Sequence, residues 1–577
     1  MAAMQQNLDK TEDRGFFGHP RGLSTLFFTE MWERFSFYGM RAILTLFMLA
    51  AIETGGLGLD KAAQGPIYAM YTSLVYLMSI PGGWLADNVL GQRRSVFYGG
   101  IVIMIGHILL AIHGFGLVTF FAGLGCIVMG TGLLKPNISA MVGQLYSPQD
   151  KRRESGFSIF YMGINLGAFL APIVCGFLAQ SPTWRAWLTG WGLDPKNAWH
   201  WGFGAAAVGM FFGLVQYLWT GRHLGEAGLH PAPPRTPAEA SSRKRTLTIG
   251  LVLFAAAVIG VIALSQVRPD LLTTGTVNTA YQILLAVVVL GFIGNLFISG
   301  DWTPAERNRL VVIVILFAAA AVFWGVFEQA GSTLTIFADE STNNEIFGMS
   351  FPSSWWQFLN AILIVLIAPF FAWLWIALGS KNPSYGTKFG TGLLFVGLGF
   401  LWLVSGARGF QTDWKSYVST NREAIVSASG KYGVELNPDS VQVSQVAAVI
   451  AKAESEGVSN VLPPWKRVGV HWLFVVYLLH TIGELCLSPV GLAAMTTLAP
   501  TRVVGQMMGV WFLAASVGNY LGGSVSGYYE KFELPTLLFA VAMSAFVMAG
   551  LMFVLSIPMK RMLAVGASEG GAKPTGH

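Results

Sequence analysis

Long apolar runs alternate with short polar breaks along nearly the whole chain. A membrane-spanning helix needs ~20 mainly apolar residues. That rule predicts helices near 23–52, 63–88, 95–114, 118–146, 154–180, 200–221, 246–266, 277–299, 308–338, 353–379, 387–407, 467–489, 502–530 and 533–559. The short alternating segments of a spanning β-barrel are not found in the sequence. The expectation is an all-α membrane protein with fourteen transmembrane helices.

The breaks carry as much information as the runs. Arg93-Arg94, Lys151-Arg152-Arg153, Arg243-Lys244-Arg245, Arg307 with Arg309, and Lys381 with Lys388 all fall on one side of the predicted membrane, joined there by Lys560 and Arg561. The opposite loops, 113–119 and 339–352 in particular, are poor in Lys and Arg. Excess Lys and Arg mark the cytoplasmic side, so both termini are expected in the cytoplasm, as an even helix count requires. Residues 222–245 hold Pro231, Pro233, Pro234 and Pro237 before their basic run and read as a linker. The next two helices, about 246–299, have almost no ionisable residues in their cores and read as a lipid-facing hairpin. A polar stretch, 408–464, is expected to be a solvated external insertion with a short amphipathic helix over Val441–Ser455. The organisation is therefore a tail over 1–22, six helices over 23–221, a linker and hairpin over 222–306, six helices over 307–560, and a tail over 561–577. Two six-helix bundles around a midplane site are the layout of major-facilitator transporters.

Composition supports this class. The chain of 577 residues is 53% hydrophobic and 11% charged, against about 25% charged in soluble domains. The net charge of +6 reflects the basic loops and is no sign of nucleic-acid binding. Cys126, Cys175 and Cys486 lie in apolar segments, with no disulfide or metal-ligand spacing. The first residues lack the apolar core of a cleaved signal peptide.

Charges inside apolar helices are the candidate chemistry, because each costs ~2.5–3.5 kcal/mol at the bilayer centre unless it meets water or a partner. The first helix holds Glu30, Glu33, Arg34, Phe37, Tyr38 and Arg41 on one stripe. A structural Glu30–Arg34 pair at i, i+4 is the plain alternative. Gly83-Trp84-Leu85-Ala86-Asp87, followed by Gly91 and Arg93-Arg94, resembles the major-facilitator loop signature, and Asp87 is expected to hold one conformation closed. Lys135 sits in mid-span before Pro136, and Asn165 adds amide donors and an acceptor. The second half offers Glu328, Gln357, Asn360 and Glu484, the last one turn before Pro489. Cations in the first half and carboxylates in the second suit a zwitterion with separated ends, a short peptide or a free amino acid. Tyr38, Tyr76, Trp324 and Trp511 are candidate pocket walls.

These stretches together carry a family resemblance. Glu30-x-x-Glu33-Arg34-Phe35 with Tyr38-Gly39 resembles the first-helix motif of the proton-dependent oligopeptide transporter family. Lys135-Pro136-Asn137, Phe160-Tyr161 with Ile164-Asn165-x-Gly167, Phe327-Glu328-Gln329 and Glu484-x-x-x-Ser488-Pro489 are similar to its other landmarks. The resemblance covers nearly all of the chain except the insertion and the tails, and the inserted helix pair is typical of bacterial members. It implies proton-coupled import of di- and tripeptides by alternating access. Arg34 and Lys135 would take the peptide carboxylate, and Glu484 with Asn165 and Asn360 the amino end, with Ser488 in the same motif. Arg41 would pair with Glu328 near the external gate, while Glu30 and Glu33 would join Arg34 in proton coupling. Phe37 departs from the family's usual Tyr, which removes a hydroxyl and leaves the ring.

By the same resemblance the chain needs no cofactor beyond the proton gradient, works as a monomer in the inner membrane, and binds no nucleic acid. The alternatives are another major-facilitator cargo (amino acid, nitrate, drug) and a peptide sensor without transport. A membrane enzyme is disfavoured, because no Gly-x-Ser-x-Gly, His-Glu-x-x-His or phosphate-binding loop occurs.

Overall fold

The computed structural model describes residues 13–114, 116–147, 149–298, 300–437, 440–500 and 504–568. The remainder of both predicted tails, and the predicted helix start at 502–503, lie outside the described residues. The first half contains α1 (Gly22–Leu49), α2 (Lys61–Leu77), α3 (Ser79–Leu85), α4 (Gln92–Ala111), α5 (Gly116–Gln144), α6 (Arg153–Gln180), a short α7 (Pro182–Gly190) and α8 (Ala198–Thr220). Then come α9 (Pro237–Val267) and α10 (Thr274–Ile298). The second half contains α11 (Pro304–Phe327), α12 (Thr333–Glu340), α13 (Phe358–Ala377), α14 (Tyr385–Tyr432), α15 (Val443–Ser455), α16 (His471–Leu498), α17 (Val504–Val525) and α18 (Leu534–Ser568). Eleven described helical stretches are long and apolar enough to cross a membrane. The expected fourteen passages correspond to these together with α1, the α2–α3 pair and α17. The one pair of strands described, β1 (Glu345–Ile346) and β2 (Met349–Ser350), is a two-residue ribbon in a loop.

Local chemistry starts and stops these helices. Asp60 accepts from the Ala63 N–H at the start of α2, and Thr303 with Glu306 forms a capping box ahead of Pro304 in α11. The run predicted as one helix over 308–338 breaks instead into α11, a 3₁₀ turn at Glu328–Gly331, and α12. Gly331 and Ser332 interrupt the helix there, so Glu328 sits at an unwound point. The segment predicted over 63–88 likewise divides, with a joint at Met78 and a π turn at Ala86–Leu90. Pro81 lacks the N–H that would bond across this joint.

The insertion corrects the expectation most. The eleventh predicted helix does not end near residue 407, since α14 continues to Tyr432 and stops at Gly433 in the left-handed region (φ 64°). Hydropathy falls at 408, but the backbone bonding does not change, because residues 410–429 contain neither Gly nor Pro. Ile425, Ala428 and Tyr432 are buried, as are Val446, Val449 and Ala453 on α15, in one hydrophobic cluster. Trp414 Nε1 donates to the Val441 carbonyl at 3.1 Å. The described residues of 408–464 thus form a helical hairpin with an apolar seam and otherwise exposed faces, and the amphipathic helix expected at Val441–Ser455 is its second arm, α15.

Among the described residues four buried hydrophobic clusters build the bundles, two centred on the second half and two in the first. Small residues let helices approach closely in lipid. A Cβ on Gly99 would lie 2.7 Å from the Gly130 carbonyl oxygen, and one on Gly106 2.7 Å from that of Gly123, so α4 and α5 touch backbone to backbone. The halves meet along two seams, α2 against α17 and α6 against α13. The latter packs Phe169 on Phe358 at 5.5 Å.

The α4–α5 contact generates a stability prediction. Gly99→Val forces the helices apart and is expected to cost about 1–3 kcal/mol, read as a lower thermal midpoint in detergent. Gly125→Val, on the same α5 but with nothing within 4 Å of its Cβ position, leaves the midpoint unchanged.

Candidate functional site

The charged residues of the α1 stripe are buried and ion-paired. Glu30 and Arg34 are 3% exposed and Glu33 is 0% exposed. Arg34 Nε pairs with Glu30 Oε1 at 3.0 Å and also with Glu33 Oε2. The Arg34 guanidinium stands 5.4 Å from the centre of the Phe37 ring. The ring function of Phe37 therefore survives without a hydroxyl. Two helical turns along, Arg41 Nη2 meets Glu328 Oε2 at 2.5 Å, and Arg41 Nε donates to the Tyr68 hydroxyl at 3.0 Å. The 3₁₀ turn after α11 brings Glu328 to this point, and the pair joins the two halves.

Lys135 on α5 takes a different arrangement. Its Nζ lies 3.7 Å above the Tyr76 ring and 5.9 Å from that of Phe512, in place of a carboxylate partner. A half-buried ammonium resting on aromatic faces is available to an incoming anion.

In the second half, Asn360 Nδ2 donates to Glu484 Oε2 at 3.0 Å and to Thr481 Oγ1 at 3.1 Å. Asn165 is turned away from this group, with Nδ2 donating to the Tyr161 carbonyl at 2.9 Å on its own helix. Trp324 and Trp511 meet edge to face at 6.4 Å, and Ser488 follows Glu484 by one turn on α16. Tyr38 faces Arg41, with its ring 5.8 Å from the guanidinium.

Asp87 sits apart, in the π turn after α3. Its Oδ1 accepts from Gln92 Nε2 at 3.3 Å, and its carbonyl accepts from the Ala232 N–H of the linker. Of the two partners expected for it, a helix N-terminus or an arginine, it meets the first, since Gln92 opens α4; among the described residues it forms no ion pair with an arginine.

Sequence reasoning missed the charges at the far end of α2. Lys61 Nζ pairs with Glu340 Oε1 at 2.7 Å and Glu530 Oε1 at 2.9 Å. Thr45 Oγ1 donates to the Gly331 carbonyl at 2.6 Å nearby, and Gln180 Nε2 to Ser353 Oγ at 3.0 Å. These ties cross from one half to the other and close the Lys61 end. The only signal in the sequence was a lysine at the first position of a spanning helix, and its partners lie hundreds of residues away.

Comparison with known proteins agrees with this geometry. The POT family matches residues 93–429 and 440–538. A peptide transporter of Yersinia enterocolitica is 37% identical over 97% of this chain and 98% of its own length. A di-/tripeptide transporter of Lactococcus lactis is 37% identical over 91% of this chain and 92% of its own. A crystal structure of peptide transporter POT in complex with sulfate superposes with a TM-score of 0.78 at 37% identity, covering 97% of this chain and 99% of that one. A POT family transporter in complex with a thioalcohol-conjugated peptide gives 0.77 at 32% identity, over 96% and 99%. With its two bundles, its inserted helix pair and its buried charges arranged in this way, the chain is a membrane-embedded transporter and belongs to the POT family.

Proposed function

We propose that the protein imports di- and tripeptides with protons by alternating access; its relatives among peptide and di-/tripeptide transporters support the cargo. One observation carries this reading: the Lys135 ammonium, resting on aromatic faces in the first half, and the Glu484–Asn360 group in the second offer opposite charges from opposite halves. A zwitterion bridges such walls. Its carboxylate goes to Lys135 and Arg34, and its ammonium to Glu484 with Asn360. Asn165 joins them only after its amide turns from the Tyr161 carbonyl. Tyr38, Tyr76, Trp324, Trp511 and Ser488 shape the side-chain pockets.

Proton coupling follows from the ion pairs. A carboxylate beside a guanidinium stays ionised, and one left alone in an apolar cavity takes a proton. Separating Arg41 from Glu328 as the halves rock therefore exchanges a cross-half pair for a protonated Glu328. Substrate carboxylate arriving at Arg34 competes in the same way with Glu30 and Glu33. A membrane potential adds about 2.3 kcal/mol per charge per 100 mV to inward movement. No cofactor enters this scheme. The basic loops orient the Asp87 end to the cytoplasm and the Lys61 end outward, so the closed end is the external one. The reading further includes cytoplasmic termini, residence in the inner membrane, function as a monomer and the division into two six-helix bundles.

The test is uptake of labelled dialanine by liposomes under an inward proton gradient and a negative interior potential. Accumulation above equilibrium, abolished by an uncoupler, is expected; uptake that only equilibrates would rule out symport. In the same assay Glu328→Gln should lose pH-driven accumulation while dialanine exchange persists. Full accumulation by that variant would refute the role given to Glu328. Lys135→Ala should raise the half-saturating dialanine concentration ~10–100-fold, the equivalent of one charge-assisted hydrogen bond. Inhibition by a dipeptide methyl ester, which lacks the carboxylate, should change far less. Glu484→Gln should show the converse pattern, weakening free dipeptides while leaving N-acetylated ones unaffected.

A further inference from the structure

The inserted helix α10 does more than face lipid. Its partner α9 has no buried residue, as a lipid-facing helix should. In α10, by contrast, Tyr281, Leu285 and Leu296 are buried, and with Asn278 and Phe292 they fall on one stripe at helical spacing. That stripe lies along the seam between α2 of the first half and α17 of the second. Tyr281 OH donates to Ser73 Oγ on α2 at 2.7 Å. Tyr520 OH on α17 donates to Asn278 Oδ1 at 2.7 Å, and the two tyrosine rings stand 5.4 Å apart. One inserted helix thus bonds to both halves.

Beneath it the halves bond to each other. Ser73 Oγ donates to the Ser516 carbonyl at 2.7 Å, and Ser516 Oγ donates to the Ser73 carbonyl at 2.9 Å. Each serine hydroxyl gives its single proton across the seam, and the lone pair on Ser73 Oγ is taken by Tyr281. Both serines are 0% exposed. Ser73 lies twelve residues from Lys61, about 18 Å along the helix at 1.5 Å per residue. That depth is close to the middle of a hydrocarbon core about 30 Å thick.

We infer that the Ser73–Ser516 pair is the fulcrum on which the two halves rock, and that α10 is the bearing that keeps it in register. The inference rests on the alternating-access reading above. A rigid body rotating about an axis moves least at the axis. The ties at Lys61 must part when that end opens, whereas a reciprocal pair at half depth can persist through both states. Tyr281 and Asn278 hold the pair from the lipid side, so the seam rolls without sliding. Tyr281 is a positioning residue here, since it touches no substrate.

The test uses a cross-link. In a background with Cys126, Cys175 and Cys486 replaced by Ser, Ser73→Cys/Ser516→Cys is oxidised to the disulfide and dialanine counterflow is measured. The oxidised protein should retain most of the counterflow of its reduced form. Lys61→Cys/Glu340→Cys, bridged by a short bis-methanethiosulfonate that spans the longer Lys–Glu gap, should stop. Loss of counterflow on oxidation of the Ser73/Ser516 pair, restored by reductant, would overturn the fulcrum. Hydrogen exchange of the oxidised protein decides the point even without flux. Opposite changes in protection at the Lys61 and Asp87 ends on adding dialanine keep the fulcrum, and two frozen ends refute it. The unmodified chain in the same liposomes reports on the transport reading by itself. Tyr281→Phe should lower the maximal counterflow rate several-fold with the half-saturating concentration unchanged. An unchanged rate would remove α10 from the mechanism.

Discussion

A bilayer does not tolerate an unanswered charge, and that constraint organises this protein. Arg34 is answered twice within α1, by Glu30 and Glu33. Arg41 is answered only across the molecule, by Glu328. The difference matters because the first arrangement is satisfied whichever way the halves tilt, while the second is satisfied in one tilt alone. Buried ion pairs add little net stability, but they make conformation depend on charge. The break at Gly331 and Ser332 serves this dependence, since it unwinds α11 at the residue that must reach Arg41.

Lys135 shows the same constraint relaxed. Its ammonium rests over Tyr76 with Phe512 behind, one ring from each half. Aromatic faces stabilise a cation less than a carboxylate does, so a substrate anion finds a partner not already held by a carboxylate. Glu484 is held ready in a comparable way by the neutral amide of Asn360. Neutral partners that orient a charge without cancelling it make a binding site out of what would otherwise be a salt bridge.

Much of this was legible in the residue order, for a physical reason. Charges within apolar runs are expensive, so Glu30, Arg34, Arg41, Lys135, Glu328 and Glu484 stood out wherever they fell. The helix count was legible because hydropathy reports the solvent each segment meets. The continuation of α14 past residue 407 was hidden for that same reason: the solvent changes there and the helix does not. Lys61, Glu340 and Glu530 sit at helix ends, where charge is ordinary, and only the fold shows that they converge. Ser73 and Ser516 are small, uncharged and 443 positions apart, and no pattern in the sequence marks them as partners. Asn165 carried the right chemistry, but its amide direction is a property of α6 packing that residue order does not encode.

The uninterrupted α14 also has a mechanical meaning. Its 48 residues extend about 72 Å at 1.5 Å per residue, well beyond what the bilayer requires. The hairpin at its tip is part of the same rigid rod as the spanning portion in the second bundle. A small tilt of that bundle becomes a large sweep of the tip, so the hairpin acts as a pointer on a dial. An antibody fragment clamped to it would both enlarge a small particle for imaging and resist the stroke.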